Sequence, residues 1–103
     1  MDRAKILDAI NGLVMVLATG KRNRVWRTFG HFVEEYNRIQ GTLCFLVVKY
    51  DDHNVEVSIR NLLASLWNEV YDRLDHGTYS RINPDAWRIG LKSDDEYGFV
   101  STA

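Results

Sequence analysis

Apolar residues recur at every third or fourth position along the first forty residues, a spacing typical of amphipathic helices. We predict a first helix over residues 2–18, with Asp2 as its N-cap because the carboxylate can accept hydrogen bonds from unpaired backbone N–H groups. Gly20 is expected to end this helix. A second helix is predicted over residues 23–40, with Gly41 as its stop. The short loop between the two helices predicts an antiparallel helix hairpin.

The pattern changes after Gly41. Residues 42–50 are rich in β-branched and aromatic side chains, and residues 55–59 alternate apolar with polar positions, the period of a half-buried strand. Together they predict a β-hairpin joined by a polar loop. A helix that begins near Val55 and continues through Leu62 would also place its apolar residues on one face. We favour the hairpin because β-branched residues are weak helix formers.

A third helix is predicted over residues 61–75, followed by two short strands at residues 86–91 and 97–102. The predicted fold class is therefore α+β, a single domain over residues 1–103 with helices on one face of a small antiparallel sheet. The alternative is a compact all-helical bundle.

Composition supports one folded domain and favours the cytosol. Of the 103 residues 46% are hydrophobic, which is enough for a core, and no apolar run approaches the length that spans a bilayer. The first residues lack the pattern of a signal peptide. The single cysteine, Cys44, excludes an intramolecular disulfide and a cysteine-based zinc site from one chain. We predict no membrane partner and no cofactor.

Basic residues cluster where the second helix is predicted to begin. Backbone donors at a helix N-terminus and nearby cations can bind phosphate, and in nucleic acid such contacts supply affinity without sequence choice. Trp26, inside the cluster, belongs to the apolar stripe and is assigned to the core. Nucleic-acid or phosphate binding is therefore the second hypothesis for function, and its residues are Lys21, Arg22, Arg24 and Arg27.

The other end of the chain is acidic and aromatic. Residues 1–41 carry seven Lys or Arg and four Asp or Glu, whereas residues 42–103 carry six and ten. Exposed aromatic residues concentrate binding energy at protein interfaces, and acidic loops can meet a basic partner. Our first hypothesis is a domain that binds a protein partner by surface complementarity, in an adaptor, inhibitor or immunity-type role, and exposed aromatic residues would equally suit a homodimer interface. Its predicted contact residues are Trp87, Tyr79, Tyr97, Asp94, Asp95 and Glu96.

Catalytic motifs are missing from the sequence: it contains no G-x-S-x-G, no P-loop and no G-x-G-x-x-G. The pattern of His31, Glu34 and Glu35 occurs once, and one such motif cannot complete a metal coordination sphere. We therefore predict no catalytic residue and no metal site. An unrecognised small-molecule enzyme is the third hypothesis.

Overall fold

The computed structural model describes residues 2–84, which form three helices: α1 (Arg3–Arg22), α2 (Phe29–Tyr50) and α3 (His53–Arg73). The Arg3 guanidinium at the start of α1 donates to the carbonyl of Tyr50 at the end of α2, so these two helices are antiparallel. Within residues 2–84 there is no β-strand. The α+β prediction is therefore wrong, and the alternative, a compact all-helical bundle, describes the structure.

The predicted β-hairpin is replaced by helix on both sides of a two-residue turn. Residues 42–50 are the second half of α2, and residues 55–59 lie in the first two turns of α3. Asp51 adopts the left-handed conformation (φ 57°) and ends α2. Asp52 caps α3, because its carboxylate accepts from the backbone N–H groups of Asn54 (2.9 Å) and Val55 (3.1 Å). The polar residues that suggested a hairpin loop are therefore a pair of helix caps.

Packing explains why weak helix formers are helical here. A β-branched residue costs a few tenths of a kcal/mol in a helix relative to a straight-chain one, ~0.5 kcal/mol at most. Full burial of a Leu or Val side chain stabilises by about 1.5–3 kcal/mol. Leu43 and Val47 on α2 and Ile59 on α3 are all buried, and the helical period brings each of them to the core.

Two glycines predicted to end helices lie inside them. Gly20 belongs to the last turn of α1, which ends at Arg22, and Gly41 is in the middle of α2. A Cβ added at Gly41 would meet no atom within 4 Å, so this glycine is simply tolerated on an exposed surface. The prediction of Asp2 as N-cap is confirmed, since its side chain accepts from the backbone N–H of Lys5.

The core is built around Trp67 of α3, which is completely buried. The rings of Phe29 and Tyr36 on α2 both lie 5.0 Å from it, centroid to centroid, in edge-to-face contact. The Tyr36 hydroxyl donates to the Leu63 carbonyl (3.0 Å), which ties α2 to α3 at mid-height. Burial raises the pKa of the Tyr36 phenol, so this group stays protonated and acts as a donor.

The chain after α3 folds back along that helix. The Trp67 indole N–H donates to the carbonyl of Ser80 (2.8 Å). The Asn68 amide makes two hydrogen bonds with the backbone of Ile82, one donated and one accepted. Ile82 is buried, so this segment covers part of the core. The predicted strands at 86–91 and 97–102 lie outside the described residues.

Candidate functional site

The loop between α1 and α2 carries the cations that the sequence singled out. The last turn of α1 closes with two backbone bonds, from Arg24 N to Lys21 O and from Val25 N to Gly20 O. This is a Schellman motif, and the residue that it places in the left-handed conformation is Arg24 (φ 54°). Glycine is the usual occupant of that position because it has no Cβ to strain. An arginine therefore stands where the local backbone favours glycine.

The cluster does not lie at the start of the second helix as predicted. The helix begins at Phe29, after Thr28, whose hydroxyl accepts from the backbone N–H of His31 (3.1 Å). The cations lie at the end of α1 and in the loop that follows it. The predicted helix start at these residues is therefore wrong, and phosphate binding by the cluster stays a prediction.

Only part of the basic cluster is available to a partner. The Lys21 ammonium forms an ion pair with Glu69 of α3 at 2.7 Å. This contact, through its hydrogen bond above all, lowers the pKa of the Glu69 carboxyl. Arg22 makes a 3.4 Å hydrogen bond to the Thr19 hydroxyl and no ion pair with a described residue. Within residues 2–84 the exposed side chains of Arg24 and Arg27 have no hydrogen-bond or ion-pair partner.

An apolar groove of about 420 Å³ is lined by residues of α1, of the α1–α2 loop and of α2, and we call it the cationic groove. Its exposed apolar side chains are Met15, Val16 and Val25, which are 59%, 47% and 49% exposed. Thr19 also lines it and is the residue that holds Arg22, while Val25 directly follows Arg24 in the chain. The groove thus has an apolar floor, and Arg22 bonds to one of its lining residues.

Glu35 of α2 also lines the groove. Its carboxylate accepts from the indole N–H of Trp26 (2.8 Å) and pairs with Arg38 (3.3 Å). Trp26 is buried, as predicted, and its six-membered ring lies against Gly20. Among the described lining residues Glu35 is the one carboxylate, and it is engaged by Trp26 and Arg38.

Sequence reasoning found the arginines and missed the groove floor. Val14 and Leu17 were assigned to the apolar stripe of α1, and Leu17 is buried. Met15 and Val16 fall between them on the opposite face, where a polar residue is the common choice. Two adjacent apolar residues on the polar face of a helix are the signal that would have located the groove.

The predicted partner-contact residues have mixed outcomes. Tyr79 is partly buried, and its ring packs on Phe29 (5.3 Å) and Trp67 (6.1 Å), where it covers the aromatic core. Its role as a partner anchor stays a prediction. The remaining residues of that set lie outside the described part of the chain: Trp87, Tyr97, Asp94, Asp95 and Glu96.

The described residues contain neither a metal-binding cluster nor a membrane-spanning helix. Residues 2–84 bring together no group of three or more His, Cys, Asp or Glu side chains suited to a metal ion. None of the described helices combines the length and hydropathy needed to cross a bilayer.

No protein-family model matches the chain, and comparison with curated proteins and with solved structures found no match either.

Proposed function

We propose that this protein binds an acidic, amphipathic segment of another protein in the cationic groove. The observation that carries the proposal is the juxtaposition of three exposed apolar side chains with arginines that lack carboxylate partners among the described residues. Exposed apolar patches bordered by charge are typical of interaction surfaces. A helix with an apolar stripe and flanking carboxylates is the complementary shape and charge.

The two parts of the groove have different tasks. Burial of the apolar floor, at roughly 25 cal/mol per Å², supplies affinity, and Met15 offers the most exposed side chain there. Arginine can pair with a carboxylate through two parallel hydrogen bonds, so Arg22 and Arg24 would orient the segment and speed its association. The strained backbone position of Arg24 fits this assignment, since the charge is kept where glycine would be more stable.

A protein segment suits this surface better than nucleic acid does. Apolar side chains at the floor offer nothing to phosphates. The aromatic ring nearest the cluster, Trp26, is buried and cannot stack on a base. Lys21, one of the four cations of the nucleic-acid hypothesis, is already paired with Glu69.

A direct binding measurement with synthetic peptides tests the proposal. The probe is a fluorescently labelled helical peptide with leucines on one face and glutamates on its flanks. A scrambled peptide of the same composition and a lysine-flanked peptide serve as controls. We expect binding of the acidic amphipathic peptide only, with affinity that falls at higher salt without vanishing, because the apolar contacts persist.

Variants locate the binding to the groove. Met15→Ser removes apolar floor, and the pair Arg22→Ala with Arg24→Gly removes two edge cations while keeping the left-handed backbone position relaxed. We expect the arginine pair to weaken binding about three- to tenfold, since exposed charge pairs contribute roughly 0.2–1 kcal/mol each. Lys5→Ala, a cation near the other end of α1, is the matched control. Unchanged binding by Met15→Ser would reject the groove as the site.

The same assay includes a nucleic-acid arm, with a single-stranded and a duplex oligonucleotide as probes. If oligonucleotide binding is steeply salt-dependent, is lost in the arginine variant and is unaffected by Met15→Ser, the nucleic-acid hypothesis replaces this one. The contact residues predicted at 87–97 and the cytosolic location stay predictions. Deletion of residues 85–103 in the peptide assay and cell fractionation test them.

A further inference from the structure

The outer face of α2 carries a second apolar surface, separate from the cationic groove. We call it the α2 face and define it by the residues that line a recess of about 420 Å³: Gln40, Gly41, Cys44, Phe45 and Val48. Phe45 and Val48 are 59% and 55% exposed. Gly41 leaves open space beside them, so another helix could approach the backbone closely there. None of these residues lines the cationic groove.

Gln40 supplies the observation that points to an occupant. It is only 4% exposed, and its side-chain Nε2 is buried without a hydrogen-bond partner among residues 2–84. A buried amide donor left unpaired is unfavourable, so native structures nearly always satisfy such groups. Rotation of the amide about its last torsion exchanges its nitrogen and oxygen, so the donor can be presented to the recess. A glutamine amide both donates and accepts, and a second glutamine is therefore a matching partner.

We infer that a second copy of this chain packs on the α2 face, with the two α2 helices antiparallel about a two-fold axis near Gly41. In such an arrangement only residues at the axis meet their own counterparts, and a residue that precedes Gly41 comes level with one that follows Gly41 by the same number of positions in the other copy. Gln40 of one copy pairs with Gln40 of the other, so both amides gain a partner. The exposed Phe45 and Val48 side chains become buried, and the Gly41 notch admits the facing helix.

Charge along α2 agrees with the antiparallel direction. Glu34 precedes Gly41 by seven residues and Lys49 follows it by eight, so each Glu34 comes level with Lys49 of the other copy. Both residues are exposed, and neither forms an ion pair with a described residue. The Lys49 ammonium lies 5.4 Å from the centre of the Phe45 ring, at the border of the α2 face. A parallel arrangement would instead place like charges opposite each other.

The first experiment measures the mass of the full chain by sedimentation equilibrium over a wide concentration range. We expect a monomer–dimer equilibrium in which Phe45→Glu raises the dissociation constant tenfold or more. Met15→Glu is the matched control, because Met15 has the same 59% exposure but lies in the cationic groove. Circular dichroism verifies that both variants stay helical. A wild-type monomer at every concentration would overturn the inference, as would a dimer that Phe45→Glu leaves intact.

Charge reversal tests the antiparallel register. Glu34→Lys and Lys49→Glu should each weaken the dimer, and the double variant should restore it, because the reciprocal pairs reform with opposite sign. Two single variants that weaken the dimer without restoration in the double variant would reject this register. Failure here leaves the peptide-binding proposal unaffected, since Glu34 and Lys49 do not line the cationic groove.

The only cysteine of the chain provides an independent readout. Cys44 lines the α2 face and is partly exposed. A short bismaleimide should join two chains through Cys44 in the wild type, much less in Phe45→Glu, and not at all in Cys44→Ser. Equal cross-linking of wild type and Phe45→Glu would show random collision and would contradict the dimer.

Discussion

Gly20 is the residue whose missing side chain lets the α1–α2 loop close over the core. A Cβ built at this position would lie 2.7 Å from Cζ2 of Trp26, closer than van der Waals contact allows. The indole cannot move freely, because it is buried and its N–H is bonded to Glu35. Glycine is therefore required here by packing and not by its backbone freedom.

We expect Gly20→Ala to destabilise the protein by about 1–3 kcal/mol, since overpacking in a core costs more than the helix propensity that alanine gains. Gly12→Ala, in the same helix, is the control, because a Cβ there meets no atom within 4 Å. It should stabilise by about 0.5–1 kcal/mol. Urea denaturation of both variants measures the difference. Equal shifts of the same sign would contradict the close contact with Trp26.

At Arg24 we expect a glycine substitution to stabilise the protein, because the unfavourable feature there is the backbone conformation and not a side-chain contact. Its φ of 54° lies in the left-handed region, where a side chain costs roughly 1 kcal/mol. Arg24→Gly should therefore raise the free energy of unfolding by about 0.5–1 kcal/mol, part of the gain being offset by the greater freedom of glycine in the unfolded chain. Arg27→Gly, at an exposed position of the same loop without positive φ, should not stabilise. Urea denaturation separates the two, and a destabilised Arg24→Gly would refute the assignment of strain.

At the scale of elements, the turn between α2 and α3 depends on one carboxylate. Asp52 accepts two backbone N–H bonds at the start of α3, and its replacement by alanine leaves both donors without this partner. We expect Asp52→Ala to cost about 1 kcal/mol in urea denaturation, with Asp52→Asn close to wild type. Asp51→Gly should be neutral or stabilising, since Asp51 has φ 57°. Similar losses at both aspartates would indicate that charge, and not capping, is what matters.

The same turn explains what the sequence could and could not predict. Helical spacing located all three helices and most of their core faces, because that period is strong in α1 and in the second half of α3. It failed between Gly41 and Ile59, where β-branched residues satisfied both a strand and a helix pattern. The intrinsic preference of these residues for strand over helix amounts to only tenths of a kcal/mol. The tertiary packing that decides between helix and strand cannot be read from one sequence. The basic cluster was singled out from its spacing in the sequence, whereas the apolar floor of the groove depends on how α1 meets the loop.

At the scale of the whole molecule, α1 and α3 run in the same direction and are joined near their ends by Lys21 and Glu69. The two residues are 48 positions apart, so their contact exists only in the folded bundle. The lowered pKa of Glu69 follows mainly from the Lys21 hydrogen bond, with a smaller contribution from Ser65. The ionised carboxylate is thus favoured by folding.

This contact predicts a specific pH dependence. Because the pKa of Glu69 is lower in the folded state, its stabilising contribution is complete above the ordinary glutamate pKa and is lost as pH falls through the lowered value. The Glu69 side chain is 53% exposed, so screening limits the contribution to less than about 1 kcal/mol. NMR titration of the Glu69 carboxyl should show its pKa rising toward the ordinary value in Lys21→Met. Ser65→Ala should produce a smaller rise. If the pKa of Glu69 does not change in Lys21→Met, this ion pair does not hold the ends of α1 and α3 together. Lys21 would then be available to a partner, like the arginines of the basic cluster.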